Sequence, residues 1–182
     1  MNNTTNLCEE ILFSGNDIEN RCEELAKQIE VDSCGKEVTF ISVLNGSFMF
    51  TSELIKRYQG DCRIDFIQVS TYGEGTCTSG KFNVKKALSL NIEGKDVVIV
   101  EDIVDTGFTI VNLIEYLKTF NPSSIKICTM IDKPHRRTHE VNSDYVAFTM
   151  NKDYFIVGYG LDYAQKYRNL PYIGILKEEL YS

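Results

Sequence analysis

The chain has 182 residues, with 26 acidic and 19 basic side chains and a net charge of −7. That length suits a single domain spanning residues 1–182, and 43% hydrophobic residues supply enough apolar side chains to bury a core. The negative balance argues against a nucleic-acid coat protein, since such proteins need net positive charge against phosphate. No apolar run approaches the roughly 20 residues that span a bilayer, so we expect no transmembrane helix.

The N-terminus and the cysteines together predict a location. Residues 1–6 are polar and uncharged, without the basic and apolar stretches of a signal peptide. The six cysteines are scattered and contain no Cys-x-x-Cys pair. In a chain of this size, that usage indicates reduced, mostly buried thiols. We therefore expect a cytoplasmic protein.

Apolar periodicity predicts strands that alternate with helices. Helices are predicted over 17–30, 48–58 and 109–120, and strands or extended stretches over 38–43, 63–70, 82–90, 96–101, 125–131, 145–149 and 154–157. Asp17 is predicted to cap the first helix. The apolar face of that helix consists of Ile18, Cys22, Leu25, Ala26 and Ile29.

This order of elements predicts an α/β fold with a mostly parallel sheet flanked by helices. The late strands lack long helices between them. We therefore expect antiparallel or irregular additions at the end of the sheet.

The most informative segment is Val97–Ile110, with the sequence VVIVEDIVDTGFTI. Its four consecutive β-branched residues are typical of a strand covered on both faces. Ligands of open parallel sheets bind outside the carboxyl ends of the strands, and Glu101, Asp102 and Asp105 are expected to lie there. Three carboxylates within five residues repel one another, so a divalent metal or ligand hydroxyls would offset the cost.

The residues after these acids are suited to a phosphate group. Asp105-Thr106-Gly107-Phe108-Thr109 leads into the predicted helix 109–120. Backbone N–H groups at a helix N-terminus bind anions, and the hydroxyls of Thr106 and Thr109 add donors. Gly107 allows the backbone to approach a ligand closely. Capping a helix needs one acid rather than three, so the pattern predicts a binding site.

At this point the sequence resembles the phosphoribosyltransferase family, and in particular its 6-oxopurine branch. The family signature is a β-branched run, two acids, two apolar residues and Asp-Thr/Ser-Gly-x-Thr, which Val97–Ile110 fits throughout. Further matches follow in family order over about residues 10–178. They are Leu44–Ser47, Ser70–Gly73, Lys133–Pro134, Phe155–Tyr163 and Arg168.

The resemblance implies an enzyme that transfers ribose 5-phosphate from phosphoribosyl diphosphate to a 6-oxopurine, releasing diphosphate. Asp105 is then the general base or acid at the purine N7. Lys133 binds the 6-oxo group, Phe155 stacks on the ring, and the backbone around Ile156 binds its edge. Without the motif, Lys133 would be interpreted as a solvated surface lysine. The neighbouring Lys126, Arg136 and Arg137 lie outside the motif, and we expect them to be surface charges.

The resemblance also implies a Mg²⁺ cofactor and assigns the phosphoribosyl diphosphate site. Glu101 and Asp102 hold the ribose hydroxyls and their Mg²⁺, and Asp162 helps to place a second Mg²⁺. Arg168 binds the diphosphate. The full set of implied substrate-binding residues is Asn45, Gly46, Glu101, Asp102, Ile103, Val104, Asp105, Thr106, Gly107, Phe108, Thr109, Lys133, Phe155, Ile156, Asp162 and Arg168.

A predicted loop and one departure from the family pattern also bear on the site. Residues 70–80, STYGEGTCTSG, are rich in Gly, Ser and Thr and are expected to form a flexible active-site loop beginning Ser70-Thr71-Tyr72. In the family such a loop closes over the site and excludes water. Asn45 departs from the family, which usually has Lys there. An asparagine keeps a donor but loses the charge that would meet diphosphate.

Other functions remain open on this fold. One is a nucleotide-sensing RNA-binding regulator, which the acidic total and the lack of a basic stripe disfavour. Another is an orotate or adenine transferase, which Lys133 and Phe155 argue against, because adenine presents an amino group where lysine needs an acceptor. Family members are dimers or tetramers, so a homodimer or homotetramer is expected. The ranking of hypoxanthine, guanine and xanthine is left open.

Overall fold

A large mixed sheet forms the centre of the structure, a computed structural model that describes residues 7–72 and 81–181. The described strands are β1 (Cys8–Phe13), β2 (Val38–Leu44), β3 (Cys62–Tyr72), β4 (Lys81–Lys86), β5 (Asp96–Val104), β6 (Ser124–Asp132), β7 (Tyr145–Thr149), β8 (Ile156–Val157) and β9 (Ile173–Leu176). The described helices are α1 (Gly15–Ser33), α2 (Phe48–Arg57) and α3 (Phe108–Lys118), with 3₁₀ turns at Pro134–Arg136 and Glu178–Leu180.

The large sheet is mostly parallel, as predicted. Its strand order is β4-β3-β2-β5-β6-β7. All neighbouring pairs are parallel except β3 and β4, which are antiparallel at one edge. Because β5 lies between β2 and β6, its carboxyl end is central to the edge where the parallel strands finish.

The helices cover both faces of this sheet. Residues of α1 and α2 share one buried cluster with Phe40, Val98 and Val100. Residues of α3 share a second cluster with alternate residues of the same strands, including Ile41 and Ile99. The β-branched run of β5 therefore faces two cores in turn, which explains its apolar composition and confirms the α/β fold class.

A second sheet of three strands is not hydrogen-bonded to the first and has the order β1-β9-β8. Both of its pairings are antiparallel. The late additions predicted for the end of the large sheet therefore form a separate sheet, while β7 joins the large sheet parallel to β6. Strands β1 and β9 are not among the predicted elements; we call this small sheet and the segment 158–172 the hood.

The first helix begins earlier than predicted. Ser14, not Asp17, is its N-cap, and α1 runs from Gly15 to Ser33. Asp17 occupies the third helical position, where its carboxylate accepts the Ser14 N–H at 2.9 Å and the Ser14 hydroxyl accepts the Asp17 N–H at 3.2 Å. The prediction of Asp17 as the cap is thus wrong by three residues, because this reciprocal capping box uses both side chains. The predicted apolar face is buried throughout.

The segment predicted as a flexible loop begins as a strand. Ser70, Thr71 and Tyr72 belong to β3 and pair with Asn83, Phe82 and Lys81 of β4. Their backbone groups find partners in an antiparallel ladder, which overrides the weak strand preference of the sequence. The rest of the predicted loop, 73–80, lies outside the described residues.

The state of the described cysteines and the length and polarity of the described helices relate to the expected cytoplasmic location. Cys8, Cys22, Cys34, Cys62 and Cys128 are free thiols. Within residues 7–72 and 81–181, every helix is too short or too polar to cross a bilayer.

Candidate active site

The strand that carries the acids is longer than the predicted strand 96–101. β5 continues through Val104, so Asp102 lies within the strand together with Glu101, and Asp105 is the first residue beyond it. Glu101 points into the structure and is only 7% exposed. Asp102 and Asp105 line cavities at the sheet edge.

Glu101 is a buried acid with an unsatisfied oxygen. Its Oε2 has no hydrogen-bond partner among the described residues. Burial raises the pKa of the Glu101 carboxyl well above its ordinary value, and the adjacent charge of Asp102 raises it further. A buried carboxyl oxygen without a hydrogen-bond partner destabilises the fold, so Glu101 is a candidate for binding a ligand or a cation rather than for packing.

Asp102 lies against the backbone of the β2–α2 turn. A Cβ atom added to Gly46 would come within 1.5 Å of its Oδ2, so only glycine lets this turn approach the carboxylate. The turn is fixed from below by buried hydroxyls, with Ser47 Oγ donating to Val43 O at 2.7 Å and Ser42 Oγ 2.8 Å from Ser47 Oγ. The exposed Asn45 side chain accepts a hydrogen bond from Gln68 Nε2 at 3.3 Å.

The predicted phosphate-binding segment forms a turn into α3. The Asp105 carboxylate accepts the Thr106 N–H at 2.5 Å, and Gly107 is the N-cap of α3 with φ of 83°. Phe108 begins the helix, one residue earlier than predicted, and its ring meets His139 edge-on. Thr109 lies in the first turn of α3, beside a cavity of about 230 Å³ lined by residues 101–105, Gly107, Thr109 and Ile110.

The side chains of the predicted residues Ile103 and Val104 lie on opposite sides of β5. The Val104 side chain is only 2% exposed and belongs to the core, while its carbonyl accepts the Lys133 N–H at 2.9 Å. Any contact of Val104 with a ligand is therefore through its backbone. Ile103 alternates to the opposite side and lines a cavity of about 520 Å³.

Lys133 is a buried lysine rather than a solvated one. It is 6% exposed, and its Nζ donates to Tyr154 O at 2.9 Å and lies 3.3 Å from Asp153 Oδ1. Pro134 follows it and starts a 3₁₀ turn that ends β6. Lys133 lines the same cavity as Ile103, and its ammonium group has one charged and one carbonyl partner.

Phe155 and Ile156 supply an apolar wall to this cavity. Phe155 precedes β8 and keeps 39% of its surface exposed. Its ring meets Tyr163 edge-on at 5.5 Å and stacks on Tyr181 at 4.7 Å between ring centroids. Ile156 is buried in β8, where it pairs with Ile175 of β9.

Asp162 and Arg168 form an ion pair on the hood. Arg168 Nη2 lies 2.7 Å from Asp162 Oδ1, and its Nη1 donates to Gly160 O at 2.7 Å. Burial raises the pKa of Asp102 overall, and the positive charge of Arg168 lowers it. Arg168 therefore acts on Asp102, near the end of β5.

The cavity of about 520 Å³ brings together seven of the sixteen substrate-binding residues that the sequence singled out. It is lined by Asp102, Ile103, Asp105, Lys133, Phe155, Ile156 and Asp162, and also by Arg136, Asp153, Tyr154, Leu161 and Tyr181. The predicted residues therefore come from β5, the end of β6, and the hood, which are far apart in sequence. Asp102 and Asp105 line both this cavity and the smaller one, so the two cavities share a wall.

Arg137 is a residue of this region that the sequence analysis placed wrongly on the surface. Its side chain is 14% exposed, pairs with the carboxylate of Asp132, and donates to the backbone carbonyl of Asp105. The next two backbone N–H groups, of Thr138 and His139, both donate to Thr106 O at 3.0 Å. The segment after Lys133 therefore braces the Asp105 turn. By contrast, Arg136 is more exposed and pairs with Asp153, and Lys126 pairs with Asp32.

The acids at the end of β5 have the donor chemistry of a magnesium site. Magnesium is usually held by one or two carboxylates together with phosphate oxygens and water. Glu101 supplies an unpartnered buried oxygen and Asp102 a carboxylate beside it. In the described part of the chain, no three His, Cys, Asp or Glu residues group closely enough to hold a metal by themselves, so oxygens of a bound substrate would complete the coordination.

Comparison with known proteins identifies the family. A model of the phosphoribosyl transferase domain matches residues 10–164. The hypoxanthine-guanine phosphoribosyltransferase of Streptococcus thermophilus is 45% identical over 174 residues, which cover 96% of each chain. A crystal structure of a hypoxanthine phosphoribosyltransferase from Staphylococcus aureus superposes with a TM-score of 0.94 at 45% identity, covering 98% of this chain and 96% of that one. A Trypanosoma cruzi hypoxanthine phosphoribosyltransferase gives a TM-score of 0.91 at 39% identity, covering 97% and 95%.

The chain belongs to the phosphoribosyltransferase family, as its motifs indicated. It is a transferase of purine salvage, acting on small molecules.

Proposed function

We propose that the enzyme transfers the 5-phosphoribosyl group from phosphoribosyl diphosphate to hypoxanthine and guanine, giving inosine or guanosine monophosphate and diphosphate. The observation that carries the proposal is the convergence of Asp105, Lys133 and Phe155 on one cavity of about 520 Å³. A cavity with an apolar wall and a few placed polar groups suits a flat heteroaromatic base. Relatives at 45% identity that carry this activity in their names support it.

The purine would lie between Ile103 and Phe155, with its 6-oxo group toward Lys133. A buried ammonium group is a hydrogen-bond donor. It therefore favours a base whose 6-oxo group accepts a hydrogen bond and disfavours adenine, whose 6-amino group is itself a donor. The backbone at Ile156 would bind the far edge of the base. Asp105, which lines the same cavity, would hold and move the proton at the purine N7 while a ring nitrogen attacks the sugar.

The phosphoribosyl diphosphate would lie across the end of β5. Glu101 and Asp102 would hold the ribose hydroxyls, and the turn from Asp105 to Thr109 would hold the 5-phosphate at the α3 N-terminus. The backbone at Asn45 and Gly46 and the guanidinium of Arg168 would bind the diphosphate. Because Asn45 is neutral, Arg168 supplies the positive side chain that we assign to this end of the site.

We assign Mg²⁺ as the cofactor, held by Glu101 and Asp102, with Asp162 helping to place a second ion. When bound, Mg²⁺ neutralises charge on the leaving diphosphate. Asp162 is held by Arg168 Nη2 at 2.7 Å and by the Gln165 N–H at 2.8 Å. Its pairing with Arg168, which we assign to the diphosphate, supports this role.

The proposed assembly is a homodimer or homotetramer, and the proposed location is the cytoplasm. In the Trypanosoma cruzi relative, the C-terminal region has a role in the oligomeric state. The free thiols of the described residues suit a reducing compartment. Light scattering coupled to gel filtration measures the assembly directly.

The direct test is an assay with hypoxanthine, phosphoribosyl diphosphate and Mg²⁺. We expect equimolar formation of inosine monophosphate and diphosphate, and loss of turnover when Mg²⁺ is chelated. Parallel reactions with guanine, xanthine and adenine establish the base preference, with adenine expected to be the poorest. No turnover of any 6-oxopurine above background would contradict the proposal.

Replacing Lys133 by Gln is expected to raise the KM for hypoxanthine by about tenfold, with a smaller change in the KM for phosphoribosyl diphosphate. Glutamine keeps a donor near the cavity but removes the charge that strengthens a hydrogen bond to the 6-oxo group. The matched control is Lys118→Gln, which makes the same change at an exposed lysine of α3 that pairs with Glu115. Equal losses for both substrates would indicate a purely structural lysine.

A further inference from the structure

The described chain ends on an aromatic ring that belongs to the wall of the purine cavity. Tyr181 follows the 3₁₀ turn Glu178–Leu180 and lines the cavity of about 520 Å³. Its ring stacks on Phe155 with the planes 19° apart, and Tyr163 meets both rings edge-on. We call Phe155, Tyr163 and Tyr181 the aromatic wall.

The tail that carries Tyr181 is anchored to the strand pair that carries Phe155. Leu176 N–H, at the end of β9, donates to Phe155 O at 2.9 Å. Beyond it, Leu180 packs against the buried cluster of Val157, Leu170 and Leu176. Tyr181 N–H donates to Glu178 O at 3.1 Å, which closes the turn. Phe155 and Tyr181 are therefore parts of one packed unit.

The ring of Phe155 needs such support because its place in the chain does little to hold its orientation. It lies just outside the two-residue strand β8 and keeps 39% of its surface exposed. An exposed ring that is free to rotate loses entropy when a ligand orders it, and support before binding removes that cost. Offset stacking on Tyr181 and an edge contact with Tyr163 are the two favourable geometries of aromatic pairs.

From these contacts we infer that Tyr181 is a positioning residue for the purine: its ring holds the plane of Phe155 ready for the base. The inference rests on the proposed function. It predicts that the aromatic ring of Tyr181 matters and its hydroxyl does not. It also predicts an effect mainly on the purine, because the residues that we assign to phosphoribosyl diphosphate lie on β5, α3 and the β2–α2 turn, with Asp162 and Arg168 of the hood, and none of them belongs to the aromatic wall.

The test compares Tyr181→Leu, which keeps an apolar side chain but removes the ring, with Tyr181→Phe, which keeps the ring. Glu179→Ala, an exposed change on the same turn, is the control for disturbing the tail. We expect Tyr181→Leu to raise the KM for hypoxanthine about threefold to tenfold, the range that an aromatic pair contributes. The KM for phosphoribosyl diphosphate should stay within about twofold, and the other two variants should match the wild type.

Several results would overturn the inference. A lower KM for hypoxanthine in Tyr181→Leu would mean that the ring occupies the place of the base. Equal rises in both KM values, or a Tyr181→Phe variant as impaired as Tyr181→Leu, would indicate a general structural role or a role for the hydroxyl. An unchanged Tyr181→Leu enzyme contradicts this inference alone, whereas a wild type without turnover contradicts the proposed function and the inference with it.

Discussion

Asp105→Asn is expected to lower kcat by about 10²-fold or more while leaving the fold intact, which is the range that a positioned proton-transfer group contributes. The Asp105 Oδ1 accepts the Thr106 N–H at 2.5 Å, and an asparagine oxygen can accept the same bond. The turn into α3 should therefore keep its shape. What the substitution removes is the ability to take a proton from the purine N7.

Steady-state kinetics with hypoxanthine and phosphoribosyl diphosphate measure this loss, and urea unfolding checks the fold. The matched control is Asp61→Asn, which makes the same change at an exposed position just before β3. The control should behave as the wild type in both experiments. Near-normal turnover of Asp105→Asn would remove Asp105 from the proton-transfer role.

Gly160→Ala is expected to impair both stability and diphosphate use, because the hood touches the β2–α2 turn at this residue. Gly160 has φ of 100°, and a Cβ atom there would come within 2.0 Å of the carbonyl oxygen of Gly46. The clash is with backbone, so it can be relieved only by moving the hood or the turn apart. Since that turn includes Asn45 and Gly46, the KM for phosphoribosyl diphosphate should rise.

Gly94→Ala is the control for this prediction, because it measures the cost of the backbone conformation without a steric clash. Gly94 has φ of 67° and nothing within 4 Å of the position of its Cβ atom. Alanine in this left-handed region costs about 1–2 kcal/mol. Urea denaturation should show Gly160→Ala to be about 1–3 kcal/mol less stable than Gly94→Ala, the usual range for overpacking. Equal stabilities would mean that the contact between Gly160 and Gly46 is not tight in solution.

The large sheet was predictable because the pattern of apolar residues within each strand and helix indicates which sides are buried. Val97–Val100 are buried on both faces, and the apolar face of α1 alternates at helical spacing. The hood was only partly predictable in this way. Strand β8 lies within the predicted strand 154–157, whereas β1 carries Glu9 and Glu10 and has no strand-like pattern. Their pairing depends on β9, whose apolar run Ile173–Leu176 was the available signal.

The residues of the candidate site also differ in whether their neighbours in the sequence could reveal them. Asp102, Asp105, Lys133 and Phe155 were found because they belong to motifs of adjacent residues, and the structure brings them to one cavity. Arg137 and Tyr181 were missed, since their contacts with Asp105 and Phe155 join distant parts of the chain. A basic residue between Arg136 and Thr138 looks like a surface charge until the carboxylate of Asp132 is known to lie beside it.

The small sheet also has a consequence for the order in which the enzyme is made. Its two outer strands, β1 and β8, both pair with β9, and β1 comes from the opposite end of the chain. On the ribosome, β1 and β8 emerge before their shared partner does. The large sheet can assemble first from strands already synthesised, whereas the hood must wait for β9. A nascent or prematurely terminated chain that lacks β9 therefore has the acids of β5 in place but no aromatic wall for a base.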